Sequence, residues 1–134
     1  FQTLLAEAAK RAVDRGVGRT GAAGVLWACG RLRVTPREGE VDALLDCLLV
    51  DEERASRVRH VHPQALVHGV WGVCHMEGVA LSQKHRDAVL SHVSRLIKAG
   101  VMGTRHADAL RASAAGAGLE PVQMEHVLTA GDTA

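Results

Sequence analysis

Apolar residues recur every three to four positions over most of this chain, and alternation is rare. The first such run is Gln2 to Arg15, with Leu5, Ala8, Ala9, Ala12 and Val13 on one side, ended by Gly16-Val17-Gly18. Thr20 stands as an N-cap for a second helix to Leu32, whose stripe is Ala22, Val25, Leu26, Cys29 and Leu32. Thr35-Pro36-Arg37-Glu38 has capping-box spacing and predicts a third helix to about Val50, with Val41, Leu44, Leu45 and Leu48 inward. Asp51 to His62 is charged and breaks the pattern. Pro63 opens the next helix to about Met76, with Leu66, Gly69, Val70 and Val73 inward. Ser82 caps a helix to Ala99 carrying Val89, Leu90, Val93, Leu96 and Ile97, stopped by Gly100. Thr104 caps a helix to Ala115, and Pro121 starts a short last one through Met124, Val127 and Leu128. Residues 131–134 form a frayed tail.

The pattern predicts about seven helices in one domain over residues 1–130. The middle helices fall into two pairs that align. VLWACGRL in the first pair matches GVWGVCHM in the second, so Trp27 and Trp71 stand 71 − 27 = 44 positions apart. The partner helices match at Asp42-Ala43-Leu44-Leu45 and Asp87-Ala88-Val89-Leu90, where 87 − 42 = 45. A period of this length, matched in both helices of a pair, predicts an all-α fold: an α-solenoid of stacked helical hairpins, the rival being a compact irregular helical bundle with an accidental echo. The repeats cover about 20–50 and 63–99, with a degenerate third at 104–129.

Composition agrees with helices. Aromatic residues are 2% of the 134, tyrosine is absent, and Leu, Val and Ala supply the core. A formal charge of +1 gives no broad basic field. Three cysteines without a CxxC pair read as reduced, buried thiols. The longest apolar runs are too short for a membrane span. The chain begins at Phe1, which reads as a processed mature chain or a fragment.

On a helical wheel Trp71 lies opposite Leu66, Val70 and Val73, beside Gln64, His68 and His75. Trp27 lies likewise beside Thr20, Gly24 and Arg31. Each ring is either a buried wedge between repeats or a stacking surface for a ligand. The wedge is favoured, because the ring is kept while its polar neighbours change. A buried wedge would cost roughly 3–5 kcal/mol to truncate to alanine.

Ala22 to Pro36, with its Leu26-Trp27-Ala28 core and closing proline, resembles the octotricopeptide repeat and the related helical repeats of RAP-domain and FAST-kinase-like proteins. Pro63 to Leu96 resembles a divergent copy with Val70-Trp71, and Ala107 to Pro121 a third with arginine in place of tryptophan. The resemblance implies an organellar protein, mitochondrial before plastid, that accompanies RNA and favours the organellar ribosome as its assembly. The alternative is a structural accessory subunit making protein–protein contacts in a large organellar assembly.

The candidate contact residues for RNA or a protein partner are Arg31 and Arg33, the cluster Arg54, Arg57 and Arg59, and His68 and His75. Asp51, Glu52 and Glu53 precede the cluster, so a solvated charged loop is the competing reading. His60-x-His62 with His68, Cys74 and His75 lacks metal-site spacing, and no metal, cofactor or small-molecule substrate is expected. Asp42 and Asp46 read as a solvated helix face. No catalytic motif is present, and an enzyme is not expected.

Overall fold

A computed structural model describes residues 18–37, 39–49 and 61–130. Those residues form six α-helices and no strand, so the fold is all-α: α1 Arg19–Leu32, α2 Glu40–Leu49, α3 Pro63–His75, α4 Gln83–Ala99, α5 Thr104–Ala114 and α6 Pro121–Thr129. The expected helix from Gln2 to Arg15 lies outside the described residues, as do Glu38, Val50 and the connection through His60.

Local chemistry sets the helix ends. Pro63 takes the first turn of α3, where its missing N–H costs nothing, and His62 Nδ1 accepts the Gln64 N–H at 3.1 Å. Ser82 Oγ accepts the His85 N–H at 3.3 Å and starts α4. Gly100, with φ 72°, closes that helix through bonds from its own N–H to Ile97 and from the Val101 N–H to Leu96. α1 ends in the same motif, with N–H bonds from Arg33 to Gly30 and from Val34 to Cys29, but the left-handed residue is Arg33 at φ 54°.

Three expected starts are corrected. Thr20 lies inside α1, whose N-cap is Gly18. Thr104 is the first helical residue of α5, after Gly103. α2 begins at Glu40, because the Thr35 hydroxyl donates instead to the Glu77 carbonyl, 3.3 Å away on another turn. The Glu40 carboxylate accepts the Arg37 N–H at 3.1 Å, which is the reach-back bond expected of Glu38.

The core is aliphatic, with Leu26, Leu44, Leu48, Leu66, Val73, Val89, Leu96, Leu110 and Met124 buried in one cluster. Each such side chain contributes about 1.5–3 kcal/mol on leaving water. The predicted stripes of α2 and α3 are buried in full. In α1 the stripe ends early, since Leu32 keeps 46% exposure and Gly30 turns inward.

Packing joins alternate helices as well as the neighbours α1 and α2, and it is most extensive between α1 and α3. α1 packs on α3 and α3 on α5, while α2 packs on α4 and α4 on α6. α1, α3 and α5 run parallel, and so do α2 and α4, as contacts advance together along both helices: Leu26 with Gly69, then Gly30 with Gly72; Gln64 with His106, then Cys74 with Gly116; Asp46 with His85, then Leu49 with His92. The turns follow suit, Thr35 bonding Glu77 and the Leu81 N–H bonding the Ala117 carbonyl at 2.9 Å. α1 and α3 approach until backbones touch. A Cβ on Gly30 would sit 2.6 Å from the Gly72 carbonyl oxygen, and one on Gly72 would strike the Leu26 carbonyl.

Candidate nucleic-acid interface

The close approach of α1 and α3 brings both tryptophans to the rim of their contact. Their ring centroids lie 6.1 Å apart, tilted by 32°. The His68 ring lies 5.6 Å from Trp27, and the His75 ring stacks on Trp71 at 4.0 Å. His75 Nδ1–H donates to the Trp71 carbonyl at 2.9 Å, which fixes that stack. Arg31 stands over the Trp27 ring with its guanidinium carbon 6.0 Å from the centroid, at the outer limit of a cation–π contact.

The expected buried wedge is corrected here. Trp27 keeps 37% exposure and Trp71 is half-buried. The physical reason is that Gly30 and Gly72 already fill the α1–α3 contact with backbone against backbone. Indoles do not fit between surfaces that close, so they lie beside the seam.

A hydrogen-bond relay extends the strip toward α5. His106 Nε2–H donates to Gln64 Oε1 at 3.1 Å, and Gln64 Nε2–H donates to His68 Nε2 at 2.6 Å. The amide has one acceptor and one donor end, so this chain assigns the imidazole tautomers. Beyond it a shallow cleft of about 580 Å³ opens between α3 and α5, lined by Gln64, Thr104 and Arg105 among others.

Of the residues singled out in the sequence, Arg31, His68 and His75 join the tryptophans in this strip. Arg33 is exposed and makes none of these ring contacts among the described residues. Arg54, Arg57 and Arg59 lie outside the described residues. Arg111 on α5, which the sequence reading set in place of a third tryptophan, forms ion pairs with Asp108 at 3.0 Å and Glu125 at 2.7 Å, so the aromatic strip does not continue onto α5.

A second polar cluster joins α2 to α4 and is missing from the sequence reading. His85 is buried, its Nε2–H donates to Asp46 at 2.7 Å, and the Ser82 hydroxyl meets its Nδ1 at 3.0 Å. Lys84 adds a bond to the same carboxylate at 3.0 Å. Asp46 is therefore not a purely solvated residue. Burial pushes its carboxyl up, but hydrogen bonds and charge from His85 and Lys84 outweigh that and hold it below the ordinary value. About two helical turns on, buried His92 donates to the Leu49 carbonyl at 2.6 Å. The signal was present: His85 and His92 fall on the stripe of Val89, Val93 and Leu96. Ser82 Oγ is already the acceptor for a backbone N–H, and the cluster fastens two helices together.

Burial, with the Glu40 charge, raises the Cys29 thiol, and burial raises Cys74, so both resist ionisation. Among the described residues, no three His, Cys, Asp or Glu side chains could hold a metal, and no helix is long and apolar enough to cross a membrane. No family model, curated protein or solved structure matches this chain.

Proposed function

We propose that the chain is a non-enzymatic α-solenoid of stacked helical hairpins that associates with RNA in an organelle, the ribosome being the favoured assembly. The observation that carries the RNA part is the strip of Trp27, Trp71, His68, His75 and Arg31, which joins four rings and a cation. The solenoid part is supported by contacts between successive pairs at offsets near the repeat length, from 117 − 81 = 36 for Leu81 with Ala117 and 39 for Asp46 with His85 upward. Thr35 and Glu77 are 42 apart in sequence, Gln64 and His106 are 42, and Leu49 and His92 are 43. A one-dimensional stack produces such offsets, because each pair meets only its neighbours. The organellar compartment, mitochondrion before plastid, follows from the repeat resemblance.

A second reading, a structural adaptor between proteins, is favoured by the net charge of +1. Salt separates the two. On single strands the logarithm of RNA affinity falls with the logarithm of salt at a slope of about −0.7 per phosphate neutralised. Binding of labelled single-stranded RNA across a salt series is expected to show a slope of two or three phosphates' worth. Saturable capture by organellar ribosomal protein, unchanged by salt and by nuclease, with no RNA binding, would establish the adaptor instead.

A further inference from the structure

We infer that Trp27 alone is the stacking platform of the strip, taking an unpaired base of single-stranded RNA, while Trp71 and His75 buttress it. The inference rests on the RNA reading above and adds which ring is used and which form of RNA it fits.

The two tryptophans are equivalent in the repeat and differ in their surroundings. Trp71 already carries a stacked partner, His75, at 4.0 Å with planes 25° apart, and that partner is tied to the Trp71 carbonyl. A base would have to displace it. The rings beside Trp27 are farther and more tilted, His68 at 5.6 Å and 40°, Trp71 at 6.1 Å and 32°, so neither lies flush on it. Gly24 lies one turn before Trp27 on the same side of α1, where the second repeat has His68. It is exposed, and a Cβ built there meets nothing within 4 Å. The position that carries the stacked His75 beside Trp71 carries Arg31 beside Trp27, 6.0 Å from the ring centroid and not flush on it, and the position one turn before the ring is open at Gly24.

Chemistry selects the occupant. Every base has a π-face, and base–aromatic stacking is tolerant of sequence. The ring contacts bring in Arg31 and His68, with Gln64 behind His68, and the Arg31 guanidinium suits the phosphate beside a stacked base. In a duplex the base faces are already covered by stacking, and only a single strand offers one.

The chain has two tryptophans and no tyrosine, so Trp71→Phe leaves Trp27 as the sole strong fluorophore. The probes are a short single-stranded oligoadenylate and the same strand paired with oligouridylate. The single strand is expected to quench Trp27 in the Trp71→Phe protein and to leave Trp71 little changed in the Trp27→Phe protein. Trp27→Leu is expected to weaken single-strand binding about 5- to 150-fold, the range for one lost stack. Gly24→Leu puts a good helix former at an exposed position and is expected to keep the melting curve while weakening binding to a similar degree. The inference is overturned, with the RNA reading intact, if the duplex binds as tightly as the single strand or if both Trp27→Leu and Gly24→Leu bind normally. Both fall together if neither RNA form binds at low salt, or if a proline-rich peptide quenches Trp27 and RNA does not.

Discussion

Arg33 holds a left-handed conformation that Gly100 holds at the end of α4 without strain. A side chain in that region costs roughly 1–2 kcal/mol, part of which glycine would return through a more flexible unfolded chain. Arg33→Gly is therefore expected to raise stability by about 0.5–1 kcal/mol, read as a higher denaturant midpoint. If Arg33 also touches a phosphate, the same variant lowers the salt slope of RNA binding by about 0.7. A more stable protein that binds RNA less well would separate the two roles in one measurement. The opposite residue-scale case is Gly72. Alanine is ordinarily better in a helix by about 1 kcal/mol, but here its methyl would strike the Leu26 carbonyl, which cannot rotate away. Gly72→Ala is expected to destabilise by about 1–3 kcal/mol, and a melt equal to the parent's would mean that α1 and α3 are not in backbone contact. Trp27→Ala belongs with neither, because an indole with 37% exposure leaves no sealed cavity, and its cost falls short of the 3–5 kcal/mol of a buried ring.

At the scale of elements, local signals located α3 and α4 within a residue, since Pro63, Ser82 and Gly100 act on their own helix ends. The start of α2 was not legible, because the Thr35 hydroxyl is drawn to a carbonyl 42 residues away in sequence. The rim position of the tryptophans was equally hidden. A wheel places both rings on the second face, but only the meeting of Gly30 with Gly72 decides that this face closes without them. The α2–α4 cluster was half legible, its histidines on the stripe and its Asp46 partner far in sequence. Ser82→Ala removes both the cap and the contact to His85, and is expected to cost about 0.5–2 kcal/mol in chemical denaturation. Asp46 adds a pH dependence of definite sign. Its carboxyl is lowered in the folded chain, so its contribution is present above the unfolded value of about 3.9 and is lost as pH falls through the folded value. The stability gap between the parent and Asp46→Asn should be full above about pH 5 and should shrink as pH falls below the unfolded value. A gap that stays constant to the acid end would assign it to packing and not to the carboxylate.

For the whole molecule, the packing pattern sets how stability is shared. Among the described residues, α1 and α2 reach α5 and α6 through α3 and α4, since the extensive contacts run from each pair to the next. In such a stack stability is a sum over units and their interfaces, and the weakest interface decides where the chain opens first. The α1–α3 seam is the most extensive of these contacts and depends on glycine. It also builds the strip, because Trp27 comes from one side and His68 and Trp71 from the other. Loss of the seam should therefore remove α1 and the binding surface while sparing the far end. In amide hydrogen exchange, Gly72→Ala is expected to speed exchange across α1 and α2, with α5 and α6 keeping near-parent protection. The middle pair should lie between, since α3 and α4 lose one neighbour and keep the other. Uniform acceleration over all six helices would show instead that the chain opens as one block, and the proposed one-dimensional stack would give way to a single cooperative bundle.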